Sequence, residues 1–444
     1  MSGGARELSL KSLETLVLRL TAEPLTIATG VIVARTLGPA GKGILAYTGL
    51  MLGLLIAIST GQSLAVSWQY GRLKVESAVV YRAMLRLFRL VVLPLSLVLV
   101  TIGAFRRDGG LAAAALMFPF VYYAQTTLAF FMSDGKVRWA NIQGNIAPGI
   151  FLIFVSVAAF AFHAGIGAIL VLWVLAWAIV AVWAHRMNAP YRPARDAVFN
   201  ARLVVETAVQ QWWFMVKATL NQFVQILNFQ IDLLIVLAVL GPSQVGIYSL
   251  AVSTGQAMWH ISRPLAVSAL GRVVGSSKEE SAELTAACLR HSLFLVGAAC
   301  VMLFIAGPAL ITFVYGPKFA PAGPALRWIL PGIIAYCAMP FLSQFFTLQV
   351  GRPLLSTLAG AISTVVCAAT TIVLLPKFGI VAGAIGTSAS YVASFIFMLA
   401  LFERETKLPV SKLLVLTRAD VRHYTDLVRA LIGSARAFVR VNVA

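Results

Sequence analysis

Charged side chains are scarce in this sequence. Asp, Glu, Lys and Arg make up 11% of its 444 residues, whereas hydrophobic residues make up 60%. A soluble protein has roughly 25% charged residues, so this chain has too few to cover a surface that faces water. Apolar runs of about 20 residues recur along it, and each is long enough to cross a bilayer as a helix. The composition therefore predicts an all-α polytopic membrane protein.

Several kinds of functional motif are also missing. The four cysteines, Cys288, Cys300, Cys337 and Cys367, form no CxxC pair, which argues against a metal or disulfide site. The chain has no GxxxxGK[ST] loop, so direct use of ATP is not expected. We expect no cofactor, although coupling to H⁺ or Na⁺ at Asp232 stays open.

Acidic residues are few, and the basic excess is placed unevenly. The chain has 35 Lys and Arg against 16 Asp and Glu, a net charge of +19. These charges lie in short patches between apolar runs, so nucleic-acid binding is not expected. Most Lys and Arg fall on one side when the spans alternate from a cytoplasmic N-terminus, as the positive-inside rule requires of an inner (plasma) membrane protein with both termini in the cytoplasm. The predicted spans, about 12 in all, are 13–35, 44–68, 87–105, 111–133, 141–162, 165–185, 212–240, 245–270, 291–315, 325–350, 354–375 and 380–402.

The second half of the chain repeats short motifs of the first half in the same order. The matching pairs are Leu37–Pro39 and Leu240–Pro242, Gly43–Ile44 and Gly246–Ile247, Leu64–Ser67 and Leu265–Ser268, and Gly71–Arg72 and Gly271–Arg272. Six predicted spans separate the copies, so both halves cross the membrane in the same direction. This arrangement predicts two parallel repeats.

The repeat also predicts the domain organisation. We predict a six-helix bundle at 1–185, a cytoplasmic linker at 186–211 and a second six-helix bundle at 212–402. The remaining residues, 403–444, form a basic amphipathic tail. Such a tail is expected to lie on the anionic inner leaflet, with binding to a partner protein as the alternative.

Polar residues recur along one face of the first, seventh and eighth predicted spans. An ionised side chain at mid-membrane costs at least about 2.5–3.5 kcal/mol, so it must face a cavity or a partner. The first and seventh spans begin equivalent halves, and we therefore predict one shared basic cavity that is open to the cytoplasm and suits an anionic ligand. Its predicted residues are Arg19 and Glu23 on the first span, Lys217, Asn221, Gln225, Asn228 and Asp232 on the seventh, and Gln256, His260 and Arg263 on the eighth.

Simpler interpretations exist for several of these residues. Lys217 and Arg263 could extend to the inner headgroups, and His260 could be a hydrogen-bonded packing residue. Glu23 could only neutralise Arg19, four residues before it on the same helical face. Arg19 is the strongest candidate for binding an anion because it lies deepest among the cations.

Further motifs carry a resemblance to a known family. They are Ala34–Gly43 after the first span, Ile231–Asp232, Leu240–Pro242 and Gly246–Tyr248 at the seventh and eighth spans, Tyr315–Phe319, and Gly379–Ala384. On these motifs the chain resembles the polysaccharide and O-antigen flippases of the multidrug/oligosaccharidyl-lipid/polysaccharide exporter superfamily.

The resemblance implies a V-shaped, MATE-like pair of six-helix bundles that works by alternating access. It also implies a cargo, an oligosaccharide linked to undecaprenyl diphosphate. The cargo would move from the inner to the outer leaflet for O-antigen, capsule or exopolysaccharide synthesis. Besides this lipid-linked oligosaccharide and membrane lipids, a polymerase and other polysaccharide-assembly proteins are candidate partners.

Three other functions compete with this hypothesis. A multidrug antiporter of the same fold would need an acidic cavity for organic cations, whereas the three polar stripes carry three cations against two carboxylates. A membrane polysaccharide polymerase or ligase would need a large outer domain, and the predicted outer connections are short, so no enzyme is expected. A peptidoglycan-precursor flippase is disfavoured by the number of spans and the length of the chain.

Overall fold

The protein is helical throughout its described part. The computed structural model describes the backbone of residues 3–193, 200–417 and 420, and the side chains of these residues except 3–23, 267–272 and 274. The described ranges contain no strand. The α-helices are α1 Gly3–Val66, α2 Ser77–Leu87, α3 Leu93–Phe105, α4 Gly109–Ser133, α5 Val137–Phe160, α6 Ile166–Met187, α7 Ala201–Gln256, α8 Trp259–Gly275, α9 Lys278–Tyr315, α10 Ala322–Gln344, α11 Leu354–Phe378, α12 Ile380–Thr406 and α13 Val410–Leu414.

The long helices α1 and α7 each consist of two helices joined at a glycine. Gly38 in α1 and Gly241 in α7 have positive φ angles of 67° and 79°, which glycine adopts without a steric penalty. Pro39 and Pro242 follow directly, and proline suits the first turn of a new helix. The repeated Leu-Gly-Pro motif is therefore a helix break that the chain uses twice.

The chain folds back at both breaks. The Tyr248 hydroxyl donates to Asp232, 16 residues earlier, although 16 residues of straight helix would separate them by about 24 Å. In α1, a Cβ built on Gly30 would lie 3.0 Å from Nζ of Lys42, which a straight helix would also prevent. Residues 24–66 thus form a first helical hairpin, and residues 201–256 form a second.

Long apolar helices occur where the membrane crossings are predicted. In the described part of the chain, 10 helical segments are long and apolar enough to cross a membrane. Two of them, Pro24–Arg72 and Ala201–Ala266, contain the hairpins, and each covers two of the spans predicted from the sequence. Ser77–Phe105 is a single segment that continues through a π-helical turn at Phe88–Val92. The all-α polytopic fold predicted from composition is the observed one.

Two predicted span edges are wrong. The helix α7 begins at Ala201, so the end of the stretch 186–211 predicted as a linker is helical, and Gln211 within it is fully buried. The predicted span 245–270 is interrupted, since α7 ends at Gln256 and α8 begins at Trp259. Hydropathy locates the apolar centre of a helix better than the ends that extend beyond it.

The chain divides into two compact units. Unit 1 contains Met1–Ser249 and Ile311–Pro321, and unit 2 contains Leu250–Leu310 and Ala322–Ala444. The core of unit 1 includes Phe118, Tyr122 and Phe130, and that of unit 2 includes Phe345 and Phe402, all without solvent exposure. The two bundles predicted at 1–185 and 212–402 are defined by the internal repeat, and they stay a prediction.

The end of α9 belongs to unit 1. Nε of Arg35 donates to the carbonyl of Val314 at 2.7 Å, and Nη2 donates to that of Phe313 at 2.5 Å. These carbonyls lie in the last turn of α9, where a helix has unsatisfied acceptors and partial negative charge. Arg35, part of the motif behind the family resemblance, therefore fastens the first hairpin to this helix end.

The first part of the predicted tail packs on unit 2. Leu413 in α13 is fully buried in a cluster with Phe402 and Phe345. Arg290 of α9 donates to Asp420 at 3.0 Å and to the carbonyl of Lys412 at 2.6 Å. Partial burial of Asp420 would raise its pKa, but hydrogen bonds from Thr417 and Arg290 outweigh burial and lower the pKa to about 2. Residues 421–444, the rest of the predicted amphipathic tail, lie outside the described residues.

Candidate functional site

The first predicted stripe can be placed only by its backbone. Arg19 and Glu23 lie in α1 before Pro24, and their side chains are outside the described part of the structure. Their convergence with the cations of the other stripes therefore stays a prediction.

The stripe on α7 is exposed over its first half. Lys217, Asn221 and Gln225 are exposed, and Asn228 is half-buried. The neighbouring apolar face is exposed as well, since Leu220 has 62% of its surface accessible. A membrane-crossing helix that exposes an apolar face and a polar face is suited to lipid on one side and water on the other. The second hairpin thus has a polar helix face suited to line a water-filled cleft beside lipid.

Asp232 is enclosed. Its relative exposure is 2% and that of Tyr248 is 0%. The Tyr248 hydroxyl donates to the Asp232 carboxylate across the hairpin. This carboxylate is one that the sequence placed in the cavity, and the structure places it between the two arms of the second hairpin.

The third stripe lies in unit 2. Its exposed Arg263 has its guanidinium 5.2 Å from the centroid of the Trp259 ring. That ring lies 5.0 Å from Tyr336, which lies 4.6 Å from Tyr391. A cation held over an aromatic face keeps its charge available to an anion. Of the other predicted members, Gln256 is half-buried and His260 is exposed.

Sequence reasoning missed these aromatic side chains. Trp259 and Tyr336 lie inside apolar runs, where aromatic residues are ordinary packing residues. The one available signal was the spacing of Trp259 and Arg263, which are one helical turn apart. Tyr336 comes from a distant helix, α10, so its position could not be predicted.

A cluster of buried glutamines was also missed. Gln62, Gln69 and Gln211 have no exposed surface. Nε2 of Gln62 donates to Gln211 at 2.6 Å, and Nε2 of Gln211 donates to Gln69 at 2.8 Å. Gln69 in turn donates to the carbonyl of Thr207 at 3.1 Å. Buried amides must be hydrogen-bonded, so this relay joins the first hairpin to the start of α7 in one register.

The two Leu-Gly-Pro turns contact each other reciprocally. A Cβ on Gly43 would lie 1.7 Å from the carbonyl oxygen of Pro242, and a Cβ on Gly246 would lie 2.1 Å from that of Pro39. Residues 43 and 246 are equivalent in the repeat, so each hairpin supplies the same surface to the other. The repeated motif is therefore both a helix break and a contact between hairpins.

A polar cluster connects loops at the opposite end of unit 1. Tyr70 donates to Asp134 at 2.8 Å, Tyr191 donates to it at 2.5 Å, and Lys136 lies 3.3 Å from it. Burial would raise the pKa of Asp134, but the hydrogen bonds from these three side chains outweigh burial and lower it. The cluster fixes the turn between α4 and α5 against the chain segment after α6, a structural role.

Known proteins share this architecture. Residues 111–324 match a family described as polysaccharide biosynthesis protein. The lipid II flippase MurJ in an inward closed conformation has a TM-score of 0.72, with 11% identity over 90% of this chain and 88% of that chain. An inward-facing multidrug resistance MATE family transporter of the MOP superfamily has a TM-score of 0.67, with 12% identity over 88% of this chain and 98% of that chain.

The description of a third structure concerns the polarity of its binding pocket. A MOP superfamily transporter from Pyrococcus furiosus, described as having a binding pocket of reverse polarity, has a TM-score of 0.57, with 12% identity over 89% of this chain and 94% of that chain. No curated protein sequence matches the chain. Identities this low show the fold alone. The family match and the shared fold agree with the resemblance found in the sequence.

Proposed function

Because this chain is a multi-pass membrane protein with the fold of the multidrug/oligosaccharidyl-lipid/polysaccharide exporters, we propose that it is a flippase. Its cargo is an oligosaccharide linked to undecaprenyl diphosphate, which it moves from the inner to the outer leaflet of the inner membrane. The observation that carries this proposal is the match of residues 111–324 to a polysaccharide biosynthesis family, because that match favours a sugar-containing cargo over the cargo of multidrug transporters with the same fold.

The chemistry of the cargo determines which surfaces the protein must provide. A sugar and a diphosphate cannot enter hydrocarbon, whereas the polyprenyl tail can stay in it. A helix with one wet face and one lipid face suits such a cargo, and α7 has both faces exposed. Asn221 and Gln225 offer amides to sugar hydroxyls, and Lys217, one turn before Asn221, offers a cation to the diphosphate.

Two further cations complete the proposed diphosphate site. Arg19 is the principal ligand in this proposal, with Lys217 and Arg263 assisting it. Movement of the cargo by alternating access could use the membrane potential, because two uncompensated negative charges moving outward gain about 4.6 kcal/mol per 100 mV. The cytoplasmic location of both termini and the partnership with a polymerase belong to the same proposal.

The test is transport in reconstituted vesicles. Protein in liposomes is expected to move a fluorescent undecaprenyl-diphosphate oligosaccharide to the opposite leaflet, where a membrane-impermeant quencher measures it. Arg19→Ala is expected to slow this movement at least about tenfold, since it removes a charge-assisted contact. Arg107→Ala, which removes an exposed cation from a turn, is the control and is expected to transport normally. Normal transport by Arg19→Ala would contradict the assigned site.

An organic-cation exporter is the second candidate. The likeness to a MATE family transporter and the enclosed carboxylate of Asp232 favour it, since a carboxylate inside a transporter can bind a cation or a proton. The same vesicles loaded with ethidium distinguish the two functions. Ethidium movement that depends on a proton gradient, without oligosaccharide movement, would replace the flippase proposal with this one.

A further inference from the structure

One cation lies inside the first hairpin. Lys42 begins the second arm of this hairpin, four residues after the turn at Gly38. By charge count it belongs to the few basic residues on the outer side of the predicted topology. Such a residue is expected to extend its side chain to water or to headgroups.

The Lys42 side chain instead extends into the hairpin, away from the outer surface. A Cβ built on Gly30 would lie 3.0 Å from Nζ of Lys42 and 4.0 Å from its Cε, so the ammonium end of the side chain lies against the first arm. Gly30 is eight residues before Gly38, about 12 Å along the helix axis. The hydrocarbon core is about 30 Å thick, which puts the charge between the outer surface and the midplane.

Gly30 makes the room for this ammonium. It lies on the polar face of the first span, together with Thr26 and Thr29. Thr29 is buried, and its hydroxyl donates to the carbonyl of Leu25. A Cβ at position 30 would crowd the Lys42 ammonium at 3.0 Å. The polar face of the first span therefore carries a positive charge in the outer half of the membrane.

This charge has no compensation in the described part of the chain. None of the ion pairs or side-chain hydrogen bonds of the described residues includes Lys42. The second hairpin differs, because its enclosed Asp232 accepts a hydrogen bond from Tyr248. With the offset of 203, Asp232 is equivalent to Thr29, one residue before Gly30. Equivalent depths thus hold a hydrogen-bonded carboxylate in one hairpin and, in the other, an ammonium without a partner among the described side chains.

An uncompensated cation inside a membrane protein is costly, and such residues usually meet a ligand or an ion. We propose that the Lys42 ammonium, seated against Gly30, binds a phosphate of the transported lipid-linked cargo in the outer half of the membrane. This inference rests on the proposed function and extends it, because Arg19, Lys217 and Arg263 lie on the cytoplasmic side of the predicted topology. The diphosphate then has a cation to receive it before release.

The test separates the effect of the side-chain charge at position 42 from the effect of the side-chain length. Lys42→Met keeps an unbranched side chain without the charge, and Lys42→Arg keeps the charge. Gly30→Ala leaves Lys42 in place but crowds its ammonium slightly, since the new Cβ would lie 3.0 Å from Nζ. Lys318→Gln removes an exposed cation from the turn after α9 and is the matched control. Purified full-length protein is titrated with undecaprenyl diphosphate and, in parallel, with inorganic pyrophosphate and undecaprenol.

We expect Lys42→Met to weaken binding of undecaprenyl diphosphate about tenfold, because it removes one charge-assisted contact. Gly30→Ala is expected to weaken it less, and Lys42→Arg and Lys318→Gln to bind as the wild type does. The Tm of Lys42→Met is expected to stay the same or to rise, because an unpaired cation is removed. A residue that serves only the fold would lower the Tm and leave binding unchanged. Weakened binding of inorganic pyrophosphate as well would assign the site to the phosphate group alone.

The outcomes separate the two proposals. If the wild type transports the lipid-linked oligosaccharide and Lys42→Met binds and transports equally well, the role of Lys42 is wrong and the flippase proposal stands. If the wild type transports no oligosaccharide but loses diphosphate binding on Lys42→Met, the anion site stands and the flippase proposal fails. A Lys42→Met variant that does not fold leaves the decision to Lys42→Gln, a polar variant without the charge, whose unchanged affinity would contradict the site.

Discussion

Gly43 and Gly246 are equivalent residues of the repeat, and their lack of a side chain allows the two hairpins to contact each other. Each carries a hydrogen where a Cβ would overlap a carbonyl oxygen of the other hairpin, at 1.7 Å and 2.1 Å. A backbone carbonyl cannot move aside by changing rotamer, so the hairpins could stay in contact only after a shift of whole helices.

Gly43→Ala is therefore expected to destabilise the protein by about 1–3 kcal/mol, the usual penalty for overpacking. Gly53→Ala is the control, because Gly53 lies in the same hairpin and a Cβ there would meet no atom within 4 Å. The measurement is the Tm in detergent, which should fall for Gly43→Ala and stay level or rise for Gly53→Ala. Equal Tm values for the two variants would show that the hairpins do not depend on this contact.

Single residues were the least predictable level of this protein. The polar stripes identified α7 as a helix with an exposed polar face. The direction of a side chain depends on its neighbours in space, however, and so Lys42 was counted as an outer-surface charge. The enclosure of Asp232 by Tyr248 was equally invisible, because the contact exists only once the chain folds back at Gly241.

At the scale of elements, the segment after α12 is held by a few polar contacts. Arg290 and Asp420 expose only 10% and 11% of their side chains, and His291 lies 3.5 Å from the same carboxylate. The pKa of Asp420 is about 2 in the folded protein, below the value of about 3.9 for an unfolded chain. A depressed pKa means that the contact stabilises the docked segment fully above the unfolded value, and that this stabilisation disappears as the pH falls from about 4 to about 2.

Asp420→Asn is expected to release the segment at neutral pH, at a loss of about 1.5–3 kcal/mol for a hydrogen bond to a charged group. Limited proteolysis after Thr406 measures the release, and cleavage of the variant should be faster than that of the wild type. Asp134→Asn, which removes a carboxylate from the polar cluster of unit 1, should leave this cleavage unchanged. Cleavage of Asp420→Asn at the wild-type rate would mean that Leu413 and its apolar neighbours hold the segment without the ion pair.

Helix boundaries were predicted well at apolar centres and poorly at polar ends. The spans predicted at 111–133 and 354–375 lie within α4 and α11. The start of α7 was misplaced because Gln210 and Gln211 resemble loop residues in a hydropathy window. Gln211 is in fact paired with Gln62 and Gln69, and a polar residue whose partners come from another helix gives no local signal of burial.

At the scale of the whole molecule, the repeated Leu-Gly-Pro motifs carried most of the prediction. Their spacing gave two halves in the same orientation, and both motifs are helix breaks with positive φ at glycine. A cavity formed by several helices cannot be derived in this way, because pairing in sequence does not fix which side chains meet.

The topology is the remaining prediction at this scale, and two exposed turns decide it. Arg107 lies between α3 and α4, and Glu76 lies just before α2, so one crossing separates them. The excess of Lys and Arg predicts that Glu76 faces the cytoplasm and Arg107 faces outward. In a protein whose four buried cysteines are replaced, Arg107→Cys should react with a membrane-impermeant maleimide in intact cells. Glu76→Cys should react only after permeabilisation. The reverse pattern would place both termini outside and would put Lys42 in the cytoplasmic half, which contradicts its role as the outer phosphate ligand.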